Sequence, residues 1–235
     1  MGRTALSGAG LILGSGLAVH NTLAEEETSS KGEARHMEME VTAAEDLMRE
    51  HGVLRRILIV YSECAKRIPD ASAVGIYEPI NKAAQLFRQF GENYHEKLLE
   101  EVYIFPAVSR ARGPVSVYPK ILVGQHRRGR EITDYILSIT KDKKPGGVQR
   151  LASAMDAFVR MYRAHAARED TIVFPAWKQT LSAEQLDEMG EKFEDIEHKQ
   201  FGEDGFDEAV SQIAAIEEQL GLADLSKFTA PPVEA

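Results

Sequence analysis

The sequence predicts an all-α protein: an antiparallel up-and-down four-helix bundle with an additional helical segment at its C-terminal side. Three observations carry that expectation. Aromatic residues make up only 7% of a chain that is 43% hydrophobic, and the abundance of Ala, Leu and Glu favours helices over sheets. Apolar residues recur at spacings of three and four along five long segments, with no convincing run of the alternation that marks a half-buried strand. The connections between those segments are short, which makes consecutive helices antiparallel neighbours.

The first residues stand apart. Arg3, a small and apolar run from Ala5 to Val19, and small residues ending at Ala24 give residues 1–24 the three-part layout of an export signal. The run is shorter than the roughly 20 residues that span a bilayer. It predicts an exported protein, in the periplasm or cell envelope, with no integral membrane segment after signal removal; a cytoplasmic protein with an irregular tail is the alternative. Residues 25–38 are polar and read as a linker to a helical domain over residues 39–225. Its first helix runs from Thr42 to Arg67, ahead of Pro69. The second runs from Glu78 to Ala111 and stops near Gly113-Pro114. The third spans Val117 to Thr140, before the turn Lys141–Gly147, and the fourth Val148 to Thr180. Ser182 and Gln185 form a capping box that starts a fifth helix, broken near Gly202 and Gly205 before a last piece to Leu220. Residues 226–235, with Pro231-Pro232, read as an irregular tail.

Charge and cysteine content narrow the function. Asp and Glu outnumber Lys and Arg by 37 to 28, a net charge of -9, so the basic excess that neutralises a phosphate backbone is missing and nucleic acid is excluded as the expected partner. One cysteine permits no internal disulfide. Any staple is packing or metal.

Histidines supply the chemistry. On the first helix, His51 belongs to the stripe Leu47, His51, Leu54, Leu58, Tyr61. On the second, His95 follows Ile80, Ala84, Phe87 and Gly91. The third carries His126 beside Leu122, Val123, Ile132 and Ile136. The fourth has the clearest face: Leu151, Met155, Phe158, Tyr162, His165, Glu169, Ile172. A lone histidine on an apolar face is ordinarily a satisfied core residue. Four of them, one per helix, with carboxylates beside them, carry a desolvation cost that a bound cation offsets. Imidazole and carboxylate without thiolate suit iron, manganese or zinc. Other residues read as structural: Cys64 as a small buried hydrophobe, His198 as a surface histidine, Tyr94 and Tyr162 as core residues within reach of the site.

Two segments also rhyme. His95–Pro106 reads HEKLLEEVYIFP and His165–Pro175 reads HAAREDTIVFP, each with a glutamate (Glu100, Glu169) five residues before the Phe of a Phe-Pro pair. Together with Arg49-Glu50-His51 and Gln125-His126, over about Ala43 to Trp177, this pattern resembles the hemerythrin-like, or HHE cation-binding, proteins. The resemblance implies a bundle around a non-haem di-iron centre, two Fe ions bridged by oxygen and carboxylates, that binds or reacts with a small oxidant: dioxygen, peroxide or nitric oxide. It implies His51, His95, His126 and His165 as nitrogen ligands, with Glu169 and a glutamate of the second helix as bridging carboxylates. A peroxidase-like, catalase-like or oxidase enzyme and an iron-sequestering bundle are alternatives.

The chain departs from the family pattern twice. The usual four-residue step from His95 lands on Leu99, and Glu100 lies five residues on, a rotation of about 140° on an α-helix. A π-bulge between His95 and Glu100 restores a common face. Otherwise Glu96, or Glu101, is the carboxylate. The fifth histidine of the oxygen carriers is also missing, since Leu122 and Arg130 flank His126 at one turn.

Overall fold

The computed structural model describes residues 41–68, 75–142, 148–202 and 205–233. The export-signal segment and the linker lie outside the described residues. Among those described, the regular structure is entirely helical, and no helix is long and apolar enough to cross a membrane.

Helix α1 (Ala43–Arg67) opens on a capping box, with the Thr42 side chain and Glu45 satisfying each other's backbone N–H groups; acidic residues fill its first turn and basic ones its last. The second run is continuous but changes geometry twice. Helix α2 (Tyr77–Leu86) passes into a π-helical segment, Phe87–Ile104, and returns to the α form as α3 (Phe105–Arg110). Gly113, at φ 96°, turns the chain through a short 3-10 segment into α4 (Tyr118–Asp142). Helix α5 (Val148–Arg168) likewise passes through a π turn, Glu169–Val173, into α6 (Phe174–Lys178).

Both π segments end at a Phe-Pro pair, and in each the Phe makes the closing i to i−5 bond: Phe105 N–H to the Glu100 carbonyl, Phe174 N–H to the Glu169 carbonyl. The following proline has no N–H, and its ring collides with the carbonyl four residues back in an α-helix. A wider turn just before it relieves that collision. The helix therefore runs on past Pro106 and Pro175 and changes its hydrogen-bond span there. One consequence is a register shift: Val173 is buried, and Ile172, expected on the inward stripe, is only half-buried.

Helix α1 packs along α5, α2 along α4, and α4 along α5. Their inward stripes form the core, with Leu47, Ile57, Tyr61, Ile80, Phe87, Ile136, Met155 and Phe158 buried. On α4 the buried positions include Gly129 and Thr133, which is why its apolar stripe reads less cleanly. Helix α7 (Ala183–Phe201) begins with the Ser182–Gln185 capping box and packs on α1 and the π segment; Gly202, at φ 91°, ends it. Helix α8 (Gly205–Leu220) lies against α1 and α2. Arg56 reaches Glu217 with two nitrogens, and Arg67 caps the Leu220 carbonyl at 2.8 Å.

Candidate metal centre

Six side chains, from α1, the π segment, α4, α5 and the Glu169–Val173 turn, converge in the core. His51 of α1 and His95 of the π segment point their Nε2 atoms at each other, 3.0 Å apart. His126 of α4 and His165 of α5 do the same at 3.1 Å. Glu100 stands between the pairs, one oxygen 3.3 Å from His95 Nε2 and the other 3.3 Å from His126 Nε2. Glu169 mirrors it, 2.9 Å from His165 Nε2 and 3.5 Å from His51 Nε2. All six are buried. The π conformation makes this possible: with hydrogen bonds spanning five residues, His95 and Glu100 share a face that an α-helix would deny them.

The outer ring nitrogens are all engaged. Each Nδ1–H donates to a side chain of the neighbouring run: His95 to Glu50 (2.5 Å), His126 to Glu101 (2.9 Å), His165 to Gln125 (2.9 Å), and His51 to Asp170 (2.6 Å). These partners form a closed ring. Glu50, beside His51, holds His95; Glu101, beside Glu100, holds His126; Gln125, beside His126, holds His165; Asp170, beside Glu169, holds His51. They are tied down in turn, Glu50 by the Tyr94 hydroxyl at 2.7 Å, Glu101 by Arg130 at 2.6 Å and Asp170 by Arg55. Phe105 and Phe174, of the two Phe-Pro pairs, stack on His126 and His51 at the same 5.4 Å and 27°. The sequence rhyme is a structural one.

Glu96 takes a different place. It accepts from the Tyr162 hydroxyl at 2.6 Å and from Arg130 at 3.0 Å, and meets His126 only at Nδ1, 3.8 Å away. Of the eight candidate ligands, six face one another across the two histidine pairs, Glu96 stands at their rim and Glu101 meets His126 at Nδ1. His198 is exposed. Glu50, Asp170 and Gln125 as supporting residues escape a stripe-based reading, because a neighbour in sequence is turned about 100° away on a helix.

The donor set fits cations. With Nδ1 donating, each neutral imidazole presents a lone pair at Nε2, so each pair sets two lone pairs face to face unless a cation or a proton intervenes. Two nitrogens about 2.1 Å from one ion, at roughly right angles, lie about 3.0 Å apart. The Glu100 and Glu169 oxygens make no well-formed hydrogen bond although fully buried, which is costly unless positive charge meets them. Protons meet some of that demand in the metal-free protein. Burial disfavours a charged His126, but Glu96, Glu100 and Glu101 push its pKa up to about 10. Burial opposes ionisation of Glu100 as well, and His95 with His126 outweighs it, holding the carboxyl well below its usual range.

A narrow chamber adjoins the cluster, with space for about one water-sized molecule. Leu54, Leu58, Phe87 and Ala166 form its apolar wall; His51, His95, Glu100, His165 and Glu169 border it, with Glu96 and Tyr162 at one side.

Comparisons with known proteins agree with this geometry. The chain is 45% identical over 196 residues to an uncharacterized protein of Mycobacterium tuberculosis, Rv1995, and equally to an uncharacterized protein of Mycobacterium bovis, Mb2018; each alignment covers 82% of this chain and 75% of the relative. No solved structure matches it at a significant level. The hemerythrin HHE cation binding domain matches residues 42–177, a span that contains all six clustered residues, and the chain belongs to that family.

Proposed function

We propose that the protein is a non-haem di-iron protein, built as a four-helix bundle of α1, the run α2–α3, α4 and the run α5–α6, that reduces a small oxidant such as hydrogen peroxide or dioxygen. The observation that carries this reading is the pair of facing histidine pairs joined by two buried carboxylates that make no other bond. His51 and His95 would hold one ion and His126 and His165 the other, with Glu100 and Glu169 as the carboxylate ligands shared between the two histidine pairs. Two adjacent ferrous ions supply two electrons when bound.

The chain's own residues do the remainder. The ring of Nδ1 partners fixes each imidazole in the tautomer that leaves Nε2 free, and the carboxylates in that ring raise ligand basicity. Apolar walls and close packing keep bulk water from the chamber and admit only a molecule of a few atoms. Where the oxygen carriers have a fifth histidine this chain has Leu122 and Arg130, so the ligand set is richer in oxygen and favours the ferric state. That argues for reduction of the oxidant over its reversible carriage. The export-signal layout of residues 1–24 is consistent with a protein that meets such oxidants in the cell envelope.

The test is metal analysis of protein from iron-replete cells, then rapid mixing of the reduced protein with oxygen and with hydrogen peroxide. Two iron equivalents are expected, both oxidants oxidising the centre, and His165→Ala and Glu169→Ala each losing iron. At most one equivalent of any transition metal, or unchanged metal in both variants, defeats the di-iron reading. A stable adduct that releases oxygen under vacuum restores carriage. Indifference to both oxidants leaves storage or a structural role.

A further inference from the structure

Three polar side chains that the metal centre does not use, Arg88, Thr133 and Tyr61, gather around Glu92. Glu92 is fully buried in the π segment, as are Thr133 of α4 and Tyr61 of α1. Neither Glu92 oxygen, nor Thr133 Oγ1, nor the Tyr61 hydroxyl has a well-formed hydrogen bond. Arg88 Nε lies 2.5 Å from Glu92, a buried ion pair whose alignment is poor for a hydrogen bond. Apolar side chains of the same size would fill this space without burying charge, so the concentration of buried polar and charged groups calls for a role.

Their arrangement connects two places. Outward, Arg88 Nη2 bonds the exposed Asp134 at 2.7 Å. Inward, Arg88, Glu92, Glu96 and Glu100 follow one another at four-residue steps along one run of the π segment. Glu96, with Tyr162 and Arg130 bonded to it, borders the chamber beside Glu100 and Glu169. A series of polar residues thus runs from solvent toward the centre.

We propose that Glu92 is the proton-carrying residue of this centre, taking protons from solvent at the Arg88–Asp134 end, through water shared with Thr133 and Tyr61, toward the chamber wall at Glu96 and Tyr162. The inference rests on the redox reading of the centre. Reduction of hydrogen peroxide takes two electrons from two ferrous ions and two protons from outside, and yields two ferric ions and two water molecules. The apolar wall of the chamber supplies neither proton. Glu92 can both take up and release a proton near neutral pH, because burial lifts its carboxyl to about 7, with Thr133, Arg88 and Arg130 opposing the rise and Glu96 adding to it. Tyr61 and Tyr162 are the remaining titratable groups that sense its charge, and burial keeps both phenols well above their usual range.

Iron-loaded wild type, Glu92→Gln and Thr133→Val, all as the full chain, test the proposal. Iron content stays at the wild-type level in both variants. Oxidation of the reduced centre by hydrogen peroxide slows at least tenfold in Glu92→Gln and by a smaller factor in Thr133→Val, and the pH dependence near neutrality seen in wild type flattens. A readout without metal accompanies it: the infrared spectrum of metal-free wild type shows a protonated carboxyl that titrates near neutral pH and is missing from Glu92→Gln. A wild-type rate in Glu92→Gln, or no such titrating carboxyl, overturns the relay while leaving the redox reading intact. If Glu92→Gln fails to fold or load iron, an unchanged rate in Thr133→Val overturns it. A wild type that ignores peroxide defeats the redox reading, and the relay with it.

Discussion

Glu50 receives a hydrogen bond from Tyr94 at one oxygen and from His95 at the other, so its direction is set before any metal arrives. Glu50→Gln keeps the shape but gives His95 a weaker partner, and iron affinity is expected to fall by about 10- to 100-fold without loss of the fold. Asp170→Asn is expected to do the same through His51. Competition with a chelator measures both, and wild-type affinity in the pair would show that the Nδ1 partners do not tune the rings. Gly129 makes a second, steric point: a methyl group there would collide with the Tyr162 hydroxyl, the group that holds Glu96. Gly129→Ala is expected to destabilise the protein by about 1–3 kcal/mol, seen as a lower midpoint of thermal unfolding. At this scale the buried histidines and Glu169 were legible, because 3-4 periodicity reports which residues face inward. The ring of partners was not. Glu50, Gln125 and Asp170 are polar neighbours of site residues, and in sequence they look like the solvated flank of each helix.

The π segment is the element on which the centre depends, since it alone lets His95 and Glu100 face the same cluster. Deleting exposed Lys97 restores the four-residue step from His95 to the glutamate, so an α-helix can replace the π turn; that variant is expected to keep two iron equivalents. Inserting an alanine after Lys97 makes the step six residues, which neither helix type brings to one face, and at least one equivalent is expected to be lost. Metal analysis of both variants decides, and full loading of the insertion variant would disconnect the π geometry from the site. The misfit of Leu99 at the usual ligand position pointed to a local π turn. The length of the segment, Phe87–Ile104, had no such signal, because residue propensities do not separate π from α and the choice is made by packing. The same holds at Glu169–Val173, where the buried residue moves from Ile172 to Val173.

At the scale of the whole molecule, α7 packs on α1 through a patch that carries a built-in penalty. Asp46 of α1 lies with Glu50 and Glu197, their carboxylates close enough to share one small volume. Periodicity foretold α7 and its start at Ser182, but not that its acidic side would meet acidic residues of α1, since charge at an interface leaves no periodic trace. Burial, then Glu50, Glu197 and Glu194, push the Asp46 carboxyl up to about 7 against the pull of Arg49. The sign follows from linkage. Between about pH 4 and 7 the unfolded chain releases this proton and the folded chain keeps it, so the contribution of Asp46 to stability falls as pH rises through that window and stays low above it. Asp46→Asn removes the penalty. In the metal-free protein it is expected to be more stable than wild type by about 2–4 kcal/mol at pH 8 and to lose that advantage at pH 4, with the half-exposed Arg49 partner contributing little. Asp170 and Glu101, whose carboxyls are held low by His51 and His126 among others, act in the opposite direction on both proteins, so their effect cancels in the comparison. Denaturant unfolding of the two proteins at both pH values is the measurement, and a stability difference that does not change with pH would mean that Asp46 is ionised in the folded chain and that α7 bears no electrostatic strain there.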